Sequence, residues 1–427
     1  MTHSIQGDVR RPVAVFAFAL GTLYFAYAFI QRVSPSVMTS ELMRDFEVGG
    51  TVLGILSAFY FWSYAAVQLP VGMLTDRFGP RKLMSFALAL CALATFGFAV
   101  SPSLLPASLL RAVIGASVAF AFVGTMAIAG YWFRHSQNAM LAGVLQCVGM
   151  LGAVFAQAPL RPVVETIGWR STMHILAAIA AVLAILIYLG VPKRTRNQRR
   201  TVSENVLEGL KSVSSNLQSW LCALIGFGMC ATMLAFSGLW AVPWLSTVHG
   251  FTPTEAAGIA SAQFLGWALF APAVGWISDR IGRRNILPQI GAAAYVSTFA
   301  VVVFQTPENP FTLAALIFLC GAFGSTVTVC FIVVREHNNA AYASTALGLM
   351  NMFVVGSGAV MQPLIGWLLD LNWTGVLRDG ARIYDAGAYA TGFTSLVVVM
   401  TAALAGTFFL KETHCRPLHE APEPSSD

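Results

Sequence analysis

Two arginines lie inside apolar runs of the sequence, where a charged side chain is costly. Arg32 stands in the stretch YAFIQRVSPSV, and Arg111 follows SPSLLPASLL. An Arg at the centre of a bilayer costs at least about 2.5–3.5 kcal/mol on insertion scales. No Asp, Glu or Lys stands in the middle of an apolar run. Because a guanidinium binds carboxylate or phosphate through two parallel hydrogen bonds, the pair predicts a positive cavity that receives an anion.

Each arginine also has a structural alternative. Arg32 could lie at a membrane interface and extend its charge into water, as long cationic side chains do. Arg111 could hold loops and helix ends together. The loop after the first apolar run contains three acidic residues, Glu41, Asp45 and Glu47, and either arginine could pair with them.

Further polar residues recur at helical spacing within the apolar runs. In the second run Ser57, Tyr60, Tyr64 and Gln68 are three or four residues apart, so they share one helix face. Hydroxyls and amides on such a face can orient a substrate, or they can bond packed helices to each other. The residues that we expect to line the site beside the two arginines are Tyr27, Gln31, Tyr64, Gln146, Trp240 and Asn351.

The composition is that of a polytopic membrane protein. The 427 residues are 57% hydrophobic and 10% charged, with a mean hydropathy of +0.70, whereas soluble domains are about 25% charged. We expect an all-α membrane protein with an uncleaved first span. The twelve segments long enough to cross a bilayer are 12–35, 50–73, 82–100, 104–132, 140–160, 171–191, 218–243, 254–277, 286–304, 311–334, 344–368 and 389–410.

The cations are unevenly distributed between the loops. With the N-terminus in the cytoplasm, 18 of the 25 Lys and Arg residues fall on the cytoplasmic side, as cytoplasmic loops require. Five fall outside: Arg44, Arg161, Arg170, Arg378 and Arg382. We therefore expect a multi-pass protein of the cell inner membrane with both termini cytoplasmic. The net charge of +6 is spread over short clusters, so it does not indicate nucleic-acid binding.

One charged turn occurs twice. GMLTDRFGPRK begins at Gly72 and GWISDRIGRR at Gly275, and their aspartates, Asp76 and Asp279, stand 203 residues apart. Two copies with the same surroundings predict two pseudosymmetric six-helix bundles. The boundaries that we expect are 1–191 for the first bundle, 192–217 for a cytoplasmic linker whose second half forms a short helix, 218–412 for the second bundle and 413–427 for a cytoplasmic tail.

With its two turns in these places, the chain resembles the major facilitator superfamily. The resemblance implies the major facilitator fold and a latch that joins the two halves on the cytoplasmic side. The alternative is a charge cluster that only sets topology. The residues that match the family's gating motif are Gly72, Asp76, Arg77, Gly79, Arg81, Asp279 and Arg280.

A narrower resemblance is to the anion:cation symporter branch of that family, which carries sugar acids, organophosphates and other organic anions. Arg32, Arg111 with Gly115, and Asn351 match positions of that branch. Gln31 and Val118 stand where proton-coupled members often have carboxylates. This departure puts proton symport through those two positions in doubt.

The resulting hypothesis is a secondary transporter that moves a small organic anion (carboxylate, sugar acid or phosphate ester) by alternating access. The alternatives are a carrier of zwitterions such as amino acids or peptides, and a transporter-like membrane sensor. The partners expected are the anion, the lipid bilayer and either a proton or a counter-anion, with the chain a monomer. Seven cysteines show no metal-ligand spacing, so we expect no cofactor, and nothing indicates an enzyme.

Overall fold

Twelve helical segments long and apolar enough to cross a membrane run through the described part of the chain. The computed structural model describes residues 11–134, 137–193, 206–339 and 342–416. For residues 69, 72, 73, 76, 138, 139, 206 and 207 it describes the backbone alone. The prediction of an all-α protein with twelve spans is confirmed.

The first half contains six spans. Four of its helices span without a break, and the fourth and fifth spans are each made of two helices. In chain order the elements are α1 (Arg11–Val33), a 3-10 turn (Ser34–Val37), α2 (Thr39–Asp45), α3 (Gly50–Phe78), α4 (Pro80–Val100), α5 (Leu104–Val118), α6 (Phe120–Trp132), α7 (Asn138–Phe155), α8 (Leu160–Ile167) and α9 (Trp169–Gly190).

The second half also contains six spans and follows a short helix, α10 (Val206–Ser215), which lies where the sequence predicts one. Its elements are α11 (Leu217–Ala231), a π-helix (Thr232–Trp240), α12 (Ala241–Val248), α13 (Pro253–Ile281), α14 (Ile286–Phe304), α15 (Pro310–Gly324), α16 (Val327–Glu336), α17 (Ala343–Leu371), the antiparallel strands β1 (Leu377–Arg378) and β2 (Ala381–Arg382), and α18 (Ala386–Thr407).

The fourth and tenth spans are broken at matching places. Ala119 separates α5 from α6, and Ser325 with Thr326 separates α15 from α16. Helices α5 and α15 each contain 15 residues, so the two breaks are related by the internal repeat. Broken helices are tolerated at membrane depth where protein buries them or where they line a cavity, which directs attention to the bundle interior.

The two halves meet closely at one end of the bundle. Because twelve spans alternate in direction, α1 begins and α18 ends at one end, which we call the termini face. The other end, where α3 begins and α17 ends, is the opposite face. A Cβ atom added to Gly366 would lie 2.1 Å from the carbonyl oxygen of Gly50, and one on Gly54 would lie 2.6 Å from that of Gln362. Glycine therefore lets the α3 and α17 backbones touch.

A carboxylate from the second half caps α3 at this contact. Asp370 accepts hydrogen bonds from the backbone N–H of Gly50 (3.0 Å) and of Thr51 (2.8 Å), and from the Thr51 hydroxyl (2.6 Å). Tyr384 and Arg382 donate to the same carboxylate at 2.6 and 3.1 Å. A carboxylate at a helix N-terminus satisfies backbone donors and complements the helix dipole, so Asp370 ties the halves together.

The π-helix of the seventh span is also held from both halves. Gln157, which follows α7, donates to the Ser237 carbonyl at 2.5 Å. Gln362, on α17, donates to the Leu234 carbonyl at 2.7 Å. The two glutamines stand 205 residues apart, so equivalent residues of the repeat bind one segment.

The glycine contact predicts a difference between two alanine substitutions on α17. Gly366→Ala should lower the melting temperature in detergent, because its methyl group would overlap the Gly50 carbonyl, and overpacking typically costs about 1–3 kcal/mol. Gly356→Ala is the control, since nothing lies within 4 Å of its added Cβ. Alanine favours a helix over glycine, so the control should melt at the same temperature or higher. Equal losses in both variants would contradict the contact.

Candidate functional site

Arg32 lies near the end of α1, inside the bundle and against aromatic rings. Its guanidinium carbon is 4.4 Å from the centre of the Phe29 ring, 5.2 Å from that of Tyr64 and 5.9 Å from that of Tyr60. The residue is 7% exposed, and its Nε has no hydrogen-bond partner among the described residues. This burial does not fit a side chain that extends into water at an interface.

Arg111, on α5, is buried beside the same tyrosine. Its Nη1 donates to the Gln31 carbonyl at 2.9 Å, while its Nε and Nη2 have no described partner. Its guanidinium carbon is 5.1 Å from the centre of the Tyr60 ring. The Tyr60 hydroxyl donates to the Ala28 carbonyl at 3.0 Å, which fixes the ring that both arginines contact. Cation–π contacts of this kind contribute about 0.5–2 kcal/mol.

The two arginines have no carboxylate partner in the described chain, because none of its ion pairs includes them. The expectation that Glu41 or Asp45 pairs with them is wrong. Glu41 lies 2.8 Å from Arg161, and Asp45 lies 2.9 Å from Arg44. Partial burial would raise the pKa of Asp45, but a hydrogen bond from Trp169 and the Arg44 charge lower it below the usual value.

Tyr27 and Gln31 use their donor groups on neighbouring residues, and the Gln31 Oε1 atom has no partner among the described residues. The Tyr27 hydroxyl donates to the Leu176 carbonyl on α9 at 3.0 Å. The Gln31 amide donates to Tyr27 at 2.5 Å and to Thr95 on α4 at 3.2 Å. These contacts hold α1 against two neighbouring helices, and the Gln31 carbonyl orients Arg111.

The other predicted lining residues are in different places. Tyr64 stacks on Tyr60 with ring centres 6.2 Å apart and contacts Arg32. Trp240 is fully buried, and its indole N–H donates to the Gln362 carbonyl at 3.1 Å. Asn351 is partly buried on α17. Gln146 lines a separate cavity of about 150 Å³.

Sequence reasoning missed Phe29, and it placed Tyr60 on a polar helix face with Tyr64 without naming it among the expected lining residues. Phe29 precedes Arg32 by three residues and Tyr60 precedes Tyr64 by four, so helical spacing places each beside a predicted site residue. The structure thus brings together Arg32, Arg111 and Tyr64 with two further rings, whereas the hydrogen bond of Trp240 is to Gln362.

The second charged turn forms a closed cluster at the termini face. Arg284 donates to Asp279 at 2.6 Å and lies 3.2 Å from Glu336. The backbone N–H groups of Arg284 and Asn285 donate to Glu412 at 2.8 and 3.0 Å. Partial burial would raise the pKa of Glu412, and these backbone donors lower it below its usual value. All these residues belong to the second half, so the cluster stabilises that half.

The first turn is arranged differently. Gly79, with a φ of 79°, ends α3 and lets α4 begin at once. Arg81 lies 4.6 Å from the Tyr188 ring and Arg77 lies 5.3 Å from the Phe78 ring. In the second turn Arg280 lies 5.3 Å from the ring of Trp276. Two residues of the predicted latch, Asp76 and Gly72, have only their backbone within α3 described, so the predicted pairing of Asp76 lies outside what is described.

The fold and the site can be compared with known proteins. The probable sulfoacetate transporter SauU of Cupriavidus necator is 22% identical over 374 residues, covering 82% of this chain and 86% of that protein. The nitrite extrusion protein of Bacillus subtilis is 22% identical over 388 residues, covering 90% and 91%.

A solved structure shares the architecture. A bacterial homolog of the human lysosomal transporter Spinster, in an inward-facing and unoccupied conformation, matches with a TM-score of 0.74 at 17% identity, covering 97% of this chain and 100% of that one. The sequence model of the Major Facilitator Superfamily matches residues 20–363 and 227–423. With twelve spans in two six-helix bundles, the chain belongs to the major facilitator superfamily and is a multi-pass membrane transport protein.

Proposed function

We propose that the protein is a secondary transporter of a small organic anion. The observation that carries this proposal is the pair of buried arginines, which leave three guanidinium nitrogens without a partner among the described residues. A buried donor without an acceptor costs about 1–3 kcal/mol. An anion supplies the acceptors and the missing negative charge. The names of the two relatives above refer to sulfoacetate and nitrite, which are both anions.

The surroundings of the arginines favour an anion over a zwitterion. Phe29, Tyr60 and Tyr64 shield the Arg32 guanidinium from water, and charges attract more strongly where the effective dielectric constant is low. A zwitterion would also need a negative counter-charge for its ammonium group, and none of the described ion pairs places an acidic residue beside the two arginines. The zwitterion carrier and the membrane sensor therefore remain as outcomes of the binding test.

The two positions at which proton-coupled members of the branch often have a carboxylate hold no proton-carrying side chain in this protein. Gln31 and Val118 are both buried, and neither side chain exchanges a proton near neutral pH. The proposal is therefore that any coupled proton travels on the substrate's own acid group, or that the anion is exchanged for another anion.

The transport cycle that we propose is alternating access between the two halves in a bacterial inner membrane. The opposite face is closed by α3 and α17, and we assign it to the outside because the cation-rich loops lie at the termini face. Opening it requires Asp370 to leave the N-terminus of α3, where it now accepts from Gly50 and Thr51. When the outer face is open, the first charged turn, with Asp76 and Arg81, would hold the two halves together at the cytoplasmic side.

The binding test uses purified protein and a thermal-shift panel of carboxylates, sugar acids, phosphate esters, amino acids and dipeptides. One anionic class should stabilise the protein, and Arg32→Gln should weaken that binding about 10- to 100-fold, because a hydrogen bond to a charged group contributes about 1.5–3 kcal/mol. Arg44→Gln is the control, since its side chain is 50% exposed and pairs only with Asp45. Equal binding by Arg32→Gln would overturn the anion site, and binding without flux in vesicles would identify a sensor.

Asp370→Asn should shift the protein toward an open outer face. The amide keeps the size of the carboxylate but loses its charge, and 1–3 kcal/mol corresponds to about a 5- to 100-fold change in population. The measurement is the distance distribution between spin labels at Ser103→Cys and Leu377→Cys, two exposed positions in different halves.

The control for that substitution is Asp385→Asn. Asp385 caps α18 within its own half by accepting from the Ala388 N–H at 2.8 Å, so its loss should leave the distance distribution unchanged. A distribution that is identical in Asp370→Asn and in the unsubstituted protein would show that the cap does not hold this face closed.

The assignment of sides is tested by labelling in whole cells. A cysteine at Leu377, which is 59% exposed on β1, should react with a membrane-impermeant maleimide added outside. A cysteine at Arg283, exposed after α13, should react only after the cells are permeabilised. The reverse pattern would place the termini outside and turn the proposed direction of the gates around.

A further inference from the structure

We infer that the substrate site has a second part, a neutral pocket between the two halves that binds a hydroxyl or carbonyl oxygen at the far end of the anion. Gln146, Trp267 and Thr328 line this pocket, which has a volume of about 150 Å³. They come from α7, α13 and α16, so both halves contribute. The inference rests on the proposed function, because Arg32 and Arg111 would hold the acid group of the same molecule.

The pocket contains an unsatisfied donor. Trp267 is 4% exposed, and its indole Nε1 has no hydrogen-bond partner among the described residues. A buried indole N–H normally has a partner, and a missing one is costly. The volume is well above the 10–15 Å³ that a single water needs. A ligand oxygen would both fill the space and accept from the indole.

The other polar groups in the pocket are free to complete the contact. Gln146 makes no hydrogen bond to another described residue, so its amide can donate and accept. The Thr328 hydroxyl donates to the Ser325 carbonyl at 2.8 Å, which leaves its oxygen lone pairs available. Donors and acceptors are therefore both present, as a hydroxyl group requires.

The position of Trp267 is fixed by the break in the tenth span. A Cβ atom added to Gly324, the last residue of α15, would lie 3.0 Å from the Trp267 ring. A Cβ atom added to Gly321 would lie 2.9 Å from the backbone nitrogen of Trp267. The two glycines of α15 thus let that helix pack closely on the backbone and the ring of Trp267, which makes the unpaired N–H a preorganised donor.

The pocket adjoins the arginine site through α7. Gly149 lies between Gln146 and Met150, both of which line the pocket. An added Cβ on Gly149 would be 3.0 Å from Phe29, and the Phe29 ring contacts Arg32. The α7 segment that lines the pocket therefore also packs against the ring that contacts Arg32.

The lining defines the chemical class of the ligand. An indole N–H only donates, so the ligand must present an acceptor. No charged residue among those that the structure describes lines the pocket, which disfavours a second anionic group there. The remaining lining is apolar or small, with Cys147, Met150 and Ala268 among it. The class that fits is a hydroxy acid or an oxo acid, and compact inorganic anions would leave the pocket unfilled.

The test compares carboxylic acids of equal chain length with and without a terminal hydroxyl, such as butanoate against 4-hydroxybutanoate and hexanoate against 6-hydroxyhexanoate. Dissociation constants are measured on the purified full chain. At least one hydroxylated acid should bind about 10-fold more tightly than its plain partner, and Trp267→Phe should remove that preference while plain acids bind unchanged. Gln146→Leu, a second variant, should reduce it as well.

The matched control is Trp276→Phe, on the same helix but 61% exposed, which should keep the preference. The inference is overturned if the unsubstituted protein binds both members of every pair equally, or if Trp267→Phe and Gln146→Leu both retain the preference. Arg32→Gln separates the two proposals, because it should weaken plain and hydroxylated acids alike. If Arg32→Gln binds both kinds of acid as tightly as the unsubstituted protein does, the anion site is wrong, and the hydroxyl preference still tests the pocket. If none of the acids binds to the unsubstituted protein, both proposals are overturned.

Discussion

The site depends on two guanidinium groups that are buried in an apolar bundle. Neither group has a carboxylate partner among the described residues. The effective penalty for burying an ion in a protein is several kcal/mol. Arg32 and Arg111 recover part of it through ring contacts with Phe29 and Tyr60, and Arg111 makes one hydrogen bond to the Gln31 carbonyl. These contacts fall short of the penalty, and the nitrogens without acceptors show where the deficit lies. A bound anion would remove it, so the stability of this region is coupled to occupancy.

The closed face uses a bond that can be broken at low cost. Asp370 accepts from backbone N–H groups at the start of α3 and from its own half through Tyr384 and Arg382. In the opening step that we propose, water would satisfy the freed helix N-terminus, and Asp370 would keep Tyr384 and Arg382 as its partners in the second half. A direct ion pair between the halves would leave two separated charges. A cap of this kind suits two states that must differ by only a few kcal/mol.

Local sequence determined the parts of this structure that could be predicted, and long-range packing determined the rest. Hydropathy located the twelve spans, and the repeated turn indicated two halves. The cap on α3 joins residues 320 positions apart, so no local pattern announces it. Glu41 looked like a partner for Arg32 because it follows in the next loop, yet it pairs with Arg161. The indole N–H of Trp240, an expected lining residue, donates to the Gln362 carbonyl 122 positions away in the chain, a contact that no local pattern shows.

The internal repeat explains the scaffold, while departures from the repeat carry the chemistry. Gln157 and Gln362 are equivalent, and each donates to a carbonyl of the π-helix, so both halves support one central segment. The charges are not equivalent, because the two arginines of the site lie in the first half, whereas the buried Arg284 of the second half is paired with Asp279 and Glu336. The second half contributes Trp267 and Thr328 to a neutral pocket. In the cycle that we propose, a ligand that contacts the charged first half and the neutral second half at once would shift the equilibrium between the two arrangements of the halves through its different affinity for each.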